Sequence, residues 1–384
     1  MERELRIDID TWRSLIKEDL IFANQASYFA KSETPIHRWY LIPESCSLEW
    51  AKLLLDESAN DVDYVVDPYC GSGTIALGCS LKGKSFIGGD ILADMVIATL
   101  AKYNWREISP EILSSIFSEL MNESRNKNTN LLGLNQIYEW GRQAQELIIN
   151  SKVSIFVKYA FLTAIYKSIR STQRPKYQSL MKNLENNINE MSRDLANRSG
   201  ISSDHKIAIY YGNSSSSSWY KLMDDIGIPI KKRKGLLITS PTFINTSQDR
   251  GSHARICCSL AQLAIQQLNI SQFFPTSNHN RYSQKNDYLP NLPSQVKKYI
   301  YSLVEILYNF KQISVESSVA IIENENPQIG NEIFEVDLLI CLLAKQFGYS
   351  PRAIRVTHYV DSPGKITYSN SNRRGSLIYL ETRL

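Results

Sequence analysis

Residues 65–91, VVDPYCGSGTIALGCSLKGKSFIGGDI, restrict the fold more than any other stretch of the chain. Tyr64, Val65 and Val66 form the short apolar run of a buried strand. Gly71 and Gly73 break that run with residues that accept positive φ, residues 74–82 suit a helix, and residues 85–89 form a second apolar run closed by Asp90. Strand, tight turn, helix and strand in so few residues open a doubly wound sheet, in which ligands sit at the carboxyl ends of the strands. Further strands are expected at residues 206–211 (KIAIYY), 235–239 (GLLIT) and 318–322 (SVAII). A terminal pair follows at 353–359 and 375–381, separated by the turn-rich DSPGK and SNSNRR.

Between the second and third strands lies a helical pattern from residue 110 to 198, too long for a simple crossover, which reads as a helical insertion. A second block without strand pattern runs from 245 to 313. Its apolar-periodic ICCSLAQLAIQQL and VKKYIYSLVEILYNF are joined by a polar surface loop, PTSNHNRYSQKNDYLPN. The serine run NSSSSS after the third strand reads as a flexible loop. The chain therefore divides into an N-terminal segment with a cofactor half (1–106), the helical insertion (107–204), the catalytic strands (205–245), a helical and loop target-recognition region (246–313) and a C-terminal sheet half (314–384).

Composition excludes little but excludes it firmly. With 384 residues and 43% hydrophobic content the chain can bury a sizeable core, and its net charge of +4 permits a polyanionic partner without requiring one. Cys46, Cys70, Cys79, Cys257, Cys258 and Cys341 contain no CxxC pair or His/Cys spacing, so neither a zinc site nor a disulfide framework is expected. No apolar run approaches the roughly eighteen residues of a membrane span, and MERELRIDID is not a targeting segment; a cytoplasmic protein is expected.

A glycine turn after a strand, with an acid about twenty residues on, is the general arrangement for an adenosine-containing cofactor whose ribose hydroxyls the acid accepts. Asp67 and Pro68 stand immediately before the turn. A carboxylate there repels a pyrophosphate and suits a cationic cofactor carrying a free ammonium.

At this point the string DPYCGSGT followed by GGDI resembles the DPFCGSGT and GxDI signatures of the S-adenosylmethionine-dependent amino-methyltransferases that act on DNA. The resemblance implies an α/β fold, a Rossmann-like methyltransferase sheet with a terminal antiparallel hairpin and helical additions. It implies S-adenosyl-L-methionine as cofactor, with Asp67, Gly71 and Gly73 around the methionine part, Asp90 on the ribose, Ile91 against the adenine, Asn213 near the adenine amine and Tyr69 as a further cofactor contact. The segment 236-LLITSPTFIN-245 resembles the TSPPY motif that holds the flipped target base in the same family. An exocyclic amine is a poor nucleophile until acceptors draw its hydrogens out of the ring plane; the Ser240 hydroxyl and Pro241 carbonyl are the acceptors so implied, and Phe243 the stacking ring. Thr242 replaces the second proline and restores an N–H to that turn. For Ser240 the resemblance implies cytosine N4 rather than adenine N6, because SPP-type motifs lean that way in the family.

The resemblance extends to 37-HRWYLIPESCSLEWAKLLL-55, a segment that encloses the cofactor in relatives and offers Ser45 and Ser47. It also reaches 319-VAIIENENPQIGNEIFEVDLLICLLAKQFGYSP-351, where Glu323 and Asn324 depart from the family pattern. DNA is the implied partner, with a cognate nuclease or defence-system subunit of a restriction-modification or phage-defence setting. Arg255 and the cluster KSIRSTQRPK with its neighbour, through Arg174, Lys176 and Tyr177, are the candidate DNA contacts, while KKRK at 231–234 reads as a solvated turn. Two alternatives stand beside this reading. One is an RNA methyltransferase acting on guanine N2, disfavoured because about sixty residues before the first strand leave no room for an RNA-binding domain. The other is a member without turnover that acts as a DNA-binding or regulatory subunit, suggested by Thr242, Asn213 and Glu323.

Overall fold

The computed structural model describes residues 12–19, 33–42, 45–124, 133–172, 176–196, 205–213, 219–241, 251–273, 292–362, 365–367 and 374–383. Its twelve described strands are β1 (Ile16–Glu18), β2 (Tyr64–Asp67), β3 (Ser85–Asp90), β4 (Ile207–Gly212), β5 (Gly235–Thr239), β6 (Ser271–Phe273), β7 (Val319–Glu325), β8 (Gln328–Ile329), β9 (Glu332–Ile333), β10 (Tyr349–Ser362), β11 (Lys365–Thr367) and β12 (Arg374–Thr382). The helices are α1 (Leu48–Ser58), α2 (Thr74–Lys82), α3 (Ala93–Tyr103), α4 (Pro110–Ser124), α5 (Leu134–Asn150), α6 (Ile155–Ser171), α7 (Tyr177–Ala196), α8 (Trp219–Asp225), α9 (Gly251–Gln267), α10 (Ser294–Ile313) and α11 (Val336–Gln346).

One sheet runs β1-β10-β12-β7-β5-β2-β3-β4-β6, with β11 paired to β10. Strands β6, β4, β3, β2, β5 and β7 pair in parallel, and β12 runs antiparallel between β7 and β10. This is the Rossmann-like sheet and terminal antiparallel pair expected from the sequence. From β2 the chain first turns to β3 on one side and later to β5 on the other, so the switch point of the winding lies at the carboxyl ends of β2 and β5.

Period-two alternation along the strands sends one set of side chains to each face. Val65, Phe86, Ile238 and Ile321 join a core with α1 to α3 and the helical segment 110–196, whereas Val66, Ile87, Leu237 and Ile322 pack under α8, α10 and α11. The helical segment thus shares a core with one face of the sheet. In α7, Leu180, Leu184, Ile188, Met191 and Leu195 recur at helical spacing and are buried there, against α6 and α4.

One expectation is corrected, and one strand is found where none was expected or excluded. The block 245–313 contributes a strand: β6 pairs with β4, Tyr210 opposite Ser271 and Gly212 opposite Phe273. β1 likewise joins the opposite edge, pairing Ile16 with Ile354. Each spans three residues, too few to show alternation, and is held by ladder bonds to a partner remote in sequence.

Candidate functional site

The glycine turn forms as the residue types require. Gly71 has φ of 50° and Gly73 of 84°. The Cys70 N–H donates to the Gly89 carbonyl over 3.0 Å and the Gly73 N–H to the Cys70 carbonyl over 2.9 Å, which folds the turn back over the end of β3. Thr99 of α3 closes it from behind, its hydroxyl donating to the Gly71 carbonyl at 3.2 Å. A Cβ at position 73 would lie 2.8 Å from Thr99 Cα, while one at position 71 would meet only the Tyr69 carbonyl at 3.9 Å. Gly73→Ala is therefore expected to cost about 2–4 kcal/mol and Gly71→Ala about 1–2 kcal/mol, since both carry the left-handed penalty and only the first adds overlap with backbone. Chemical denaturation of the two variants checks the order, and equal losses would refute the packing argument.

Asp67 closes β2 at the switch point and is 3% exposed. Its Oδ1 accepts the Tyr69 N–H at 3.2 Å and the Thr239 hydroxyl at 3.1 Å. Burial pushes its titration from 3.8 up to about 7; those two donors pull it down, and Asp90 pushes it further up. Asp90, half-buried at the end of β3, accepts the Gly71 N–H at 3.0 Å and the Leu92 N–H at 2.9 Å on different oxygens. Beside it Ile91 is 52% exposed, an apolar side chain left on the surface at the carboxyl edge. Asn213 is exposed just past β4, two residues beyond the Tyr211 that pairs with Asp90.

Residues 37–42 and 45–47 close on this turn from the other side. Asp194 of α7 accepts from the Ile36 N–H at 2.9 Å, the Trp39 indole at 2.9 Å and the Arg38 guanidinium, so the helical segment pins residues 36–39. His37, neutral because burial and then nearby Lys102 hold its pKa down at about 3, lies with Nε2 3.0 Å from the Thr74 hydroxyl. The Ser45 and Ser72 hydroxyls meet at 2.8 Å, and Ser47 caps α1 by accepting the Trp50 N–H at 3.1 Å.

On the other side of the switch point, β5 ends at Thr239 and passes into Ser240, half-buried, and Pro241, buried. Ser240 hydrogen-bonds to Glu323 of β7, whose carboxyl is pushed up by burial, pulled down by that bond and pushed up by Glu325. Asp67, Asp90, Ser240 and Glu323 are thus brought to one edge of the sheet. Phe243 and Arg174 lie outside the described residues. Lys176 and Arg255 are exposed, and Tyr177 is half-buried with its hydroxyl in the interior. Two other cations of the KSIRSTQRPK cluster face inward: Lys167 pairs with Glu190 at 2.5 Å and Arg170 with Asp94 at 3.3 Å.

Sequence reasoning missed Thr239 as the donor to Asp67 and Glu323 as the partner of Ser240. For Thr239 the signal was its place at the head of TSPTF. For Glu323 it was a charged residue at the end of an otherwise apolar strand.

Residues 21–100 match the model of the DNA methylase family, the N6/N4 methyltransferases, and over that segment the chain is similar to the amino-methyltransferases. The matched residues include Asp67, Tyr69, Gly71, Gly73, Asp90 and Ile91. The chain is also 33% identical over 102 residues to the type II methyltransferase M.BsoBI of Geobacillus stearothermophilus, a match covering 26% of this chain and 20% of that protein, so it spans about a fifth of the length of the curated relative. Among solved structures it overlaps TrmN from Thermus thermophilus, with a TM-score of 0.30 at 8% identity over 88% of this chain and 49% of that one. It also overlaps the rRNA methyltransferase AviRa from Streptomyces viridochromogenes, with a TM-score of 0.31 at 9% identity over 86% of this chain and 84% of that one. The fold follows from the strand order, independently of these distant overlaps. No described helix is long and apolar enough to cross a membrane.

Proposed function

We propose that the protein is an S-adenosylmethionine-dependent DNA methyltransferase that modifies the exocyclic amino group of a flipped base, cytosine N4 ahead of adenine N6, within a restriction-modification or phage-defence system. One observation carries the reading: the glycine turn with Asp67 and Asp90, and the Ser240–Pro241 end of β5, meet at the switch point of a parallel sheet.

The residues present fit the cofactor. Acidic side chains gather where a ligand with sulfonium and ammonium charges gains most from them, and an exposed Ile91 beside Asp90 offers an apolar face. Asp67 and Tyr69, with the backbone of Gly71 and Gly73, would hold the methionine portion. Asp90 would hold the ribose, and Ile91 and Asn213 the adenine. When bound, the cofactor supplies a methyl group activated on a cationic sulfur. The Ser240 oxygen and the Pro241 carbonyl accept the hydrogens of the target amine and bring its lone pair out of the ring. Phe243 stacks on the extruded base, and orientation supplies much of the acceleration. Arg174, Lys176, Tyr177 and Arg255 are the proposed DNA contacts, and a cognate nuclease the proposed partner.

The test is incubation with isotopically labelled S-adenosylmethionine and either unmethylated DNA or total RNA, followed by digestion and mass analysis of the nucleosides. Label is expected in N4-methylcytosine; label in N2-methylguanosine from RNA would replace the reading. Ser240→Ala is expected to lower kcat by about 10- to 100-fold while leaving cofactor affinity unchanged, because it removes one acceptor from the amine and none from the cofactor. An equal loss in cofactor binding would move Ser240 to the cofactor site.

A further inference from the structure

β5 and β7 run parallel in the register Thr239 opposite Ile322, so Ser240 and Glu323, the next residue on each, stand side by side at the carboxyl edge. Ile238 and Ile321, two residues earlier, lie in the same core, which places Ser240 and Glu323 on that same face, the face that carries α1 to α3. Glu323 is 7% exposed, and the Ser240 hydroxyl is its hydrogen-bond partner. An acid buried near the end of a strand costs stability unless it is hydrogen-bonded or neutralised there.

We propose that Glu323 is a positioning residue for the methyl-accepting amine. It accepts the hydrogen of the Ser240 hydroxyl, which turns the Ser240 oxygen toward the amine, and it takes up the serine's proton as the amine gives one to Ser240. The inference rests on the methyl-transfer reading of the Ser240–Pro241 site.

A serine hydroxyl has one hydrogen and two lone pairs. With its hydrogen committed to a carboxylate, both lone pairs are left to receive N–H groups, and the carboxylate makes the oxygen a stronger acceptor. The proton bookkeeping then closes. The amine lone pair forms the N–C bond as the methyl's bond to sulfur breaks and its electron pair stays on sulfur. The nitrogen, now cationic, gives one proton to Ser240 Oγ while the serine's own proton passes to Glu323, and Glu323 later returns it to solvent. If Glu323 were already protonated, it would donate to Ser240 instead, and the serine would aim its hydrogen at the amine. The titratable groups that interact electrostatically with Glu323 are Cys46 from the segment before α1, Tyr299 of α10 and Glu325 of its own strand, and Asp67 of β2 interacts in turn with Cys46. Of these, Cys46 and Tyr299 are pushed up by burial, so neither changes charge on the acid side.

The experiment measures kcat against pH at saturating cofactor and DNA for wild type, Glu323→Gln and Glu323→Asp, together with cofactor affinity and thermal unfolding. The expected result is a wild-type kcat that falls on the acid side, a Glu323→Gln kcat lower by about 10-fold or more with that acid limb gone, and partial recovery in Glu323→Asp. Cofactor affinity should be unchanged throughout. A Glu323→Gln enzyme with wild-type kcat and the same acid limb would overturn the role of Glu323 and leave the methyl-transfer reading standing. A wild type that binds cofactor but labels no nucleoside would overturn both. If the glutamine variant does not fold, an aspartate variant with an unshifted acid limb and undiminished kcat overturns the proposal by itself.

Discussion

Asp90→Ala is expected to weaken S-adenosylmethionine binding by about 100-fold or more. The Asp90 carboxylate accepts the Gly71 and Leu92 N–H groups, one on each oxygen. Ribose hydroxyls donating to it would add hydrogen bonds to a charged group, which contribute about 1.5–3 kcal/mol each, so two together reach about 3–6 kcal/mol. The substitution also releases the Gly71 N–H and with it the turn that the methionine portion would rest on, so the loss exceeds that of the ribose contacts alone. Asp90→Asn separates the two effects: it keeps an acceptor for one backbone donor and loses the charge, and should fall between alanine and wild type. Isothermal titration of the three proteins decides the matter. An alanine variant that binds within about threefold of wild type would mean that Asp90 serves the turn and not the ribose.

How much of this was legible in the sequence depends on distance along the chain. The β2, glycine turn, α2 and β3 unit was legible because every determinant is local: apolar runs of strand length, two glycines that adopt φ of 50° and 84°, and an acid at the end of β3. The positions of the strands beyond it were legible for β4, β5, β7, β10 and β12, whose apolar runs are long enough to signal, while their order in the sheet was not. β1 and β6 were not, because three residues at a sheet edge take their structure from the partner strand. The same limit hid Glu323. Nothing near it in sequence says that it stands beside Ser240, and only the register of β5 on β7 brings the two together. The basic cluster at 167–176 shows the converse. Lys167 and Arg170 read as neighbours of a surface lysine, yet helix geometry turns them toward Glu190 and Asp94, which a linear scan of charge does not register.

Asp67→Asn should make the protein more stable and the cofactor site worse, and pH should separate the two effects. A buried carboxyl that titrates near 7 instead of 3.8 holds its proton more tightly in the folded chain than in the unfolded one. Its favourable contribution is complete below pH 3.8 and is lost as pH rises through 7, so by pH 8 the folded protein carries a buried charge at a cost of up to about 4 kcal/mol. Asparagine keeps an oxygen for the Tyr69 and Thr239 donors and has nothing to ionise. The variant is therefore expected to match wild type near pH 4 and to exceed it by up to about 4 kcal/mol at pH 8 in denaturant unfolding. A cationic ligand reverses the preference of the site, because an ammonium beside Asp67 favours the ionised form. Binding must then expel the proton wherever Asp67 still holds it, and wild-type affinity should fall about tenfold for each pH unit below about 7. Titrations in buffers of different ionisation enthalpy would report one proton released per cofactor bound at pH 6 in wild type and none in Asp67→Asn. Identical stability curves for the two proteins between pH 4 and 8 would show that Asp67 is already ionised without its ligand, and the acidic edge would then attract a cation without having to give up a proton first.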